Sequence, residues 1–125
     1  MLADRPAVAT VAVRDLAAAK QFYERTLGLK QISAEGQEAV VYATGTSKLI
    51  VYRSQFAGTN QATAVTWNAG DEIEAVVRDL KSRGVTFEHY DMPMMKREGD
   101  VHIAGGTRAA WFKDPDGNIH SIINR

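Results

Sequence analysis

The sequence predicts an α+β fold made of two βαβββ modules whose mixed sheets are concave. Three observations carry that expectation: strand-like apolar runs alternate with amphipathic helical stretches, the order occurs twice, and the internal spacings of the two copies agree.

Val8 to Val13 is a short apolar run, read as the first strand. Asp15 follows as an N-cap, because a carboxylate just ahead of a first turn can accept from its free N–H groups. In LAAAKQFYERTL the residues Leu16, Ala19, Phe22, Tyr23 and Leu27 recur at helical spacing, and Gly28 supplies the stop. KQISAE, QEAVVYAT and SKLIVYRS are rich in β-branched and aromatic residues and are separated by Glu35-Gly36 and Gly45-Thr46 turn signals. They complete one strand, one helix and three strands.

The second half opens the same way. Ala62 to Ala69 is strand-like, Asp71 is the expected cap with Glu74 at capping-box spacing, and Ile73, Val76, Val77 and Leu80 form the apolar stripe. VTFEHYD, TRAAWFKD and NIHSIIN are the remaining strands, the last two joined by a tight turn at Asp114-Pro115-Asp116-Gly117. Asp15 to Gly28 and Asp71 to Gly84 both span thirteen steps, and Thr10 and Thr66 each lie five before the aspartate. YDMPMMKREGDVHIAGG is the longest irregular stretch and reads as a binding loop or lid.

A chain of 125 residues suits one domain, 1–125, with internal modules at about 6–56 and 60–125. Lysine plus arginine and aspartate plus glutamate number 15 each, so no net field would hold a polyanion, and neither nucleic acid nor membrane is an expected partner. The absence of cysteine removes thiolate catalysis, disulfides and sulfur-based zinc sites. MLADRPAVAT has no long apolar core, and no apolar run approaches membrane-spanning length, so a soluble cytoplasmic protein is expected.

VAVRDLAAAKQFYERTLGLK opens the first module and AAWFKDPDGNIHSII closes the second. With Val13, Asp15, Leu16, Phe22, Tyr23, Leu27 and Gly28 in the one and Asp114 to Asn118 in the other, the chain resembles the vicinal-oxygen-chelate superfamily of glyoxalases, bleomycin-resistance proteins and extradiol dioxygenases over nearly its whole length. These motif residues also have plain structural duties, as a cap, an apolar stripe and a hairpin turn.

The resemblance implies four metal ligands, two His or Gln from the first strands and two Glu from the last strands. By position they fall near Val8, at Thr63 or Ala64, at or beside Ile50, and at Ser121. No histidine occurs between Met1 and Glu88, and no carboxylate between Ala39 and Gly70. No metal and no cofactor are therefore expected.

Of the three histidines, His120 should face the helix layer as a polar edge residue, and His89 and His102 are the candidate catalytic groups, each set against a plain surface role. Neither shows a carboxylate partner or a triad in its spacing. If Val8, Ala64 and Ser121 point inward, alternation brings Thr10, Ala12, Thr66, Asn68, Ala109, Trp111, Ile119 and Ile123 to the concave face, with Phe112 and Trp67 opposite. Tyr42, Tyr52, Phe56 and Tyr90 are further candidate rings, and Met92, Met94 and Met95 an adaptable lining, each weighed against burial in the core.

The expected ligand-binding set is Thr10, Tyr52, Thr66, Asn68, Tyr90, Met92, Met94, Trp111 and Ser121. The function expected is metal-independent binding of a small apolar or aromatic molecule, as in antibiotic sequestration, by a homodimer. The alternative is a lyase, isomerase, hydrolase or dioxygenase that uses His89, His102 or a tyrosine, or a divergent metal site assembled across a dimer.

Overall fold

The computed structural model describes residues 1–125. It divides into two compact units, Met1–Gln61 with Pro115–Asn118, and Ala62–Asp114 with Ile119–Arg125.

In the first unit a 3₁₀ turn at Leu2–Asp4 precedes β1 (Ala9–Val13) and α1 (Leu16–Lys20), and β2 (Lys30–Glu35), β3 (Ala39–Thr44) and β4 (Ser47–Arg53) follow. The sheet order is β1-β4-β3-β2, with β1 parallel to β4 and the other pairs antiparallel. Strand alternation sorts the side chains: Val11, Val13, Val40, Tyr42, Leu49 and Val51 are buried, while Thr10, Ile50 and Tyr52 take the opposite face. Asp15 caps α1 as expected, its Oδ1 accepting from the N–H groups of Ala17 at 3.0 Å and Ala18 at 3.2 Å.

Beyond Lys20 the helix widens into a π-helix over Gln21–Thr26 and stops at Gly28, whose φ of 75° is one that glycine adopts without penalty. Tyr42 corrects one expectation. It is a core ring and not a pocket ring, fully buried, stacked on Tyr23 at 6.0 Å, with its hydroxyl donating to Glu24 at 2.8 Å. Its strand parity sends it under the helix, where burial and then the Glu24 carboxylate raise the phenol pKa.

The turn from Asp114 to Asn118 does more than join two strands. Asn118 Nδ2 donates to the Ala12 carbonyl at 2.8 Å, and Asp116 Oδ1 accepts the Arg14 N–H at 3.1 Å. Both bonds satisfy backbone groups at the end of β1.

The second unit contains β5 (Thr63–Asn68), a 3₁₀ turn (Gly70–Glu72), α2 (Ile73–Ser82), β6 (Phe87–Glu88), β7 (Lys96–Glu98), β8 (Val101–Ala104), β9 (Thr107–Lys113) and β10 (Ile119–Ile123). Its sheet order is β5-β10-β9-β8-β7, with β10 parallel to β5 and antiparallel to β9. The duplicated helix is confirmed, since Ile73, Val77 and Leu80 are buried and Gly84 with φ 95° ends it.

Its start differs from the expectation. Asp71 lies inside the 3₁₀ turn and makes no cap bond, Asn68 Oδ1 accepts the Gly70 N–H at 3.1 Å instead, and Glu74 pairs with Arg108 where a capping box would have turned it back.

The strand boundaries also need correction. Of VTFEHYD only Phe87–Glu88 is strand, and the stretch expected to be irregular contains the β7–β8 hairpin. Both β6 and β8 pair with the same edge of β9, β6 opposite Trp111 and Phe112 and β8 opposite Thr107 to Ala109. The chain leaves that edge between them, through Pro93, which has no N–H to give a ladder. No helix is long and apolar enough to cross a membrane.

The unequal helix starts predict unequal mutational costs. Asp15→Ala should lower the unfolding free energy by about 1 kcal/mol, whereas Asp71→Ala should change it by less than about 0.5 kcal/mol, as for a surface position without a special contact. Urea denaturation of the two variants beside the parent checks this, and equal losses would contradict the capping assignment.

Candidate functional site

The site is built on β10 and its neighbours. The register places Thr66, Ser121, Trp111 and Glu88 in one row across β5, β10, β9 and β6. The next row holds Asn68, Ile123, Ala109, His102 and Arg97 across β5, β10, β9, β8 and β7. All of these side chains share the sheet face away from α2. Thr66 Oγ1 and Ser121 Oγ bond each other at 2.8 Å, so this part of the face holds two hydroxyls that satisfy one another and no charge.

The other face is closed around His120. The ring is fully buried and stacks on Phe112 at 4.8 Å, and its Nδ1 accepts the Trp67 indole N–H at 2.9 Å. His120 is thus a core acceptor and not the polar edge residue expected, because the strand it occupies is paired on both sides. An Nδ1 that accepts carries no proton, and burial pushes the pKa down to about 4.

His102 is also misplaced by the expectation of a surface role. It is 1% exposed in β8, and its Nε2 accepts the Tyr90 N–H at 3.0 Å. The proton of the neutral ring therefore sits on Nδ1, which finds no acceptor with hydrogen-bonding geometry. Burial lowers the His102 pKa, helped by the charges of His89 and Arg97 and opposed by the backbone at Ala109 and Asp100.

Three rings meet here: Trp111 packs edge-on against His102 at 4.9 Å and against Tyr90 at 5.3 Å, and Tyr90 lies 6.1 Å from His102. A cavity of about 460 Å³ opens beside them, lined by Tyr90, Met92, Pro93, Met95 and His102 and by the charged Asp91, Lys96 and Arg97.

His89 does have a carboxylate partner, contrary to the sequence reading. Its Nε2 lies 2.7 Å from Asp100 Oδ1, and Lys81 Nζ lies 2.9 Å from Asp100 Oδ2. Hydrogen bonds from His89 and then Lys81 hold the Asp100 carboxyl below its ordinary pKa. Asp100 and Arg97 were not anticipated. The signal was the Gly99-Asp100 pair, a two-residue hairpin turn between Glu98 and Val101, with Gly99 at φ 61°.

Of the expected ligand-binding residues, the structure gathers Thr66, Asn68, Tyr90, Trp111 and Ser121 around this sheet face and Met92 at the cavity. Met94 departs from the set: it is 95% exposed, at φ 66°, and Met95 lines the cavity in its place. Thr10 and Tyr52 belong to the sheet of the first unit, where Tyr52 pairs with Ala12 and Ala39 and is 39% exposed. Phe56, in the same unit, is 70% exposed.

A model of the glyoxalase/bleomycin resistance protein/dioxygenase superfamily matches residues 5–120. The chain belongs to that superfamily. Solved structures of the vicinal-oxygen-chelate fold agree in architecture. A glyoxalase family protein from Enterococcus faecalis is similar with a TM-score of 0.73 at 18% identity, covering 98% of this chain and 99% of its own. Lactoylglutathione lyase from Agrobacterium tumefaciens gives 0.71 at 18% identity, covering 96% and 92%. The fosfomycin resistance protein FosX from Mesorhizobium loti gives 0.69 at 11%, covering 98% and 92%. No curated protein matches the chain significantly.

The donor set does not fit the metal of the metal-dependent superfamily members. Val8 and Ile50 offer hydrocarbon, Thr63 or Ala64 a hydroxyl or a methyl, and Ser121 a hydroxyl already bonded to Thr66. No three histidine or carboxylate side chains come together elsewhere in a way that could hold a metal ion.

The buried His120 gives a pH dependence whose sign is fixed. Its folded pKa of about 4 lies below the ordinary 6.5, so between those values the unfolded chain binds the extra proton. Its contribution to stability is complete above pH 6.5 and should fall by about 2 to 3 kcal/mol as the pH drops toward 4. Denaturant unfolding from pH 7.5 to 4.5 should show this decline, and His120→Gln should flatten most of it.

Proposed function

We propose that the second unit binds a small planar aromatic molecule without a metal and releases it unchanged. The contact of the buried His102 with the half-buried Tyr90 and Trp111, beside a cavity lined by the flexible thioethers of Met92 and Met95, is the observation that carries the reading. Rings prefer such edge-on and offset partners, and thioethers adapt to varied shapes. The protonation geometry favours binding over chemistry: His102 has given its Nε2 lone pair to a backbone N–H, and His89 has committed Nε2 to Asp100. Sequestration of an aromatic antibiotic is the physiological role that this reading carries.

The His89–Asp100 pair favours one second reading, an enzyme that moves a proton at His89. A single titration separates the two. Naphthalene-2-carboxamide should quench tryptophan fluorescence and be recovered intact. Trp111→Ala should weaken binding about 10- to 100-fold, the scale of a central aromatic contact. Unchanged affinity in that variant would overturn the binding reading, and steady conversion of the probe would replace it with the enzymatic one.

We also propose a homodimer, supported by the exposure of Ile32, Tyr52 and Phe56 in the first unit at 49%, 39% and 70%. Sedimentation at micromolar concentration should show a species of twice the 13.7 kDa chain mass, and a lone monomer would refute it.

A further inference from the structure

We propose that the ligand of this cavity is an aromatic anion, an aryl carboxylate or a phenolate, and that Arg97 is the residue that reads its charge. The proposal rests on the aromatic-binding reading above and adds the charge of the ligand to it.

Arg97 faces His102 across the β7–β8 ladder and lines the same cavity. The Gly99 carbonyl accepts from its Nη1 at 2.7 Å and so holds the guanidinium in place. The same nitrogen also lies 3.4 Å from His89 Nε2. That atom is 2.7 Å from Asp100 Oδ1, a distance that requires it to carry a proton, since two lone pairs would repel. It therefore has no lone pair for Arg97.

The nearby carboxylates are engaged or elsewhere. Both Asp100 oxygens are taken, by His89 and by Lys81, and Glu98 reaches Arg108 at 3.9 Å. Neither Arg97 nor Lys96, the second cation of the lining, is among the residues that form ion pairs. Against them the lining supplies one carboxylate, Asp91, which leaves an excess of one positive charge beside Tyr90 and the methionines.

A guanidinium fixed by one carbonyl, with its remaining donors free, suits the planar two-oxygen edge of a carboxylate. The ring of the same ligand would lie against Tyr90, with Met92 and Met95 beside it. Arg97 and His102 are directly opposed across the β7–β8 ladder, which puts the guanidinium's charge beside the rings.

Two isosteric probes test the charge alone. Naphthalene-2-carboxylate should bind the native protein about tenfold more tightly than naphthalene-2-carboxamide at low ionic strength, as expected of one charge-assisted contact. The advantage should shrink with added salt. Arg97→Gln should bring the two affinities to within about twofold of each other, and an unfolding midpoint close to the parent's shows that the variant is folded. Equal affinity for the two probes, or a preference that survives Arg97→Gln, overturns the assignment of Arg97 and leaves aromatic binding standing. Failure of both probes to bind overturns the aromatic reading itself, and this inference with it.

Discussion

β10 is hydrogen-bonded along both edges, parallel to β5 on one side and antiparallel to β9 on the other. Side chains along a strand alternate with a period of two, so a slip of one residue would turn Ser121 under the helix and expose His120 and Ile122. The interlock of His120 with Trp67 and Phe112 opposes that slip, because it would leave an indole donor and an imidazole acceptor buried without each other. The order of residues on the sheet face away from α2 follows from the fixed register: hydroxyls at Thr66 and Ser121, then Trp111, then the His102 and Arg97 ladder.

Three histidines in one unit illustrate how partners decide protonation. His120 accepts from an indole, His102 accepts from a backbone amide, and His89 donates to a carboxylate. The first two are neutral because the interior penalises charge, and the third sits beside an acid that Lys81 also helps to keep ionised. Neutral rings in the wall and cations in the loop give the cavity an apolar side and a positive side.

Much of this was legible in the sequence where periodicity carries the information. The capping Asp15, the helix stops at Gly28 and Gly84, and the opposite faces of Trp111 and Phe112 all follow from spacing alone. Spacing could not separate Tyr42 from Tyr52, since both alternate correctly and only the side on which the helix packs decides which is core. Nor could it pair His89 with Asp100. That contact depends on the β7–β8 hairpin, whose charged strand KRE carries none of the apolar alternation by which strands are recognised. The Gly99-Asp100 turn was the available cue, and it competed with a run of methionines and charges that reads as a loop.

The helices of the two units contain the same number of residues between aspartate and glycine, yet they are wound differently. The first loosens into a π-helix over Gln21–Thr26, which packs more residues into each turn, and the second starts as a 3₁₀ turn at Gly70–Glu72, which rises about 2.0 Å per residue against 1.5 Å in an α-helix. Equal counts therefore cover unequal lengths. If one half of the coding sequence overwrote the other by recombination, the reading frame would survive and the transplanted helix would end at the wrong height. Such an exchange would have to be followed by changes at both junctions before the sheet and helix could pack again.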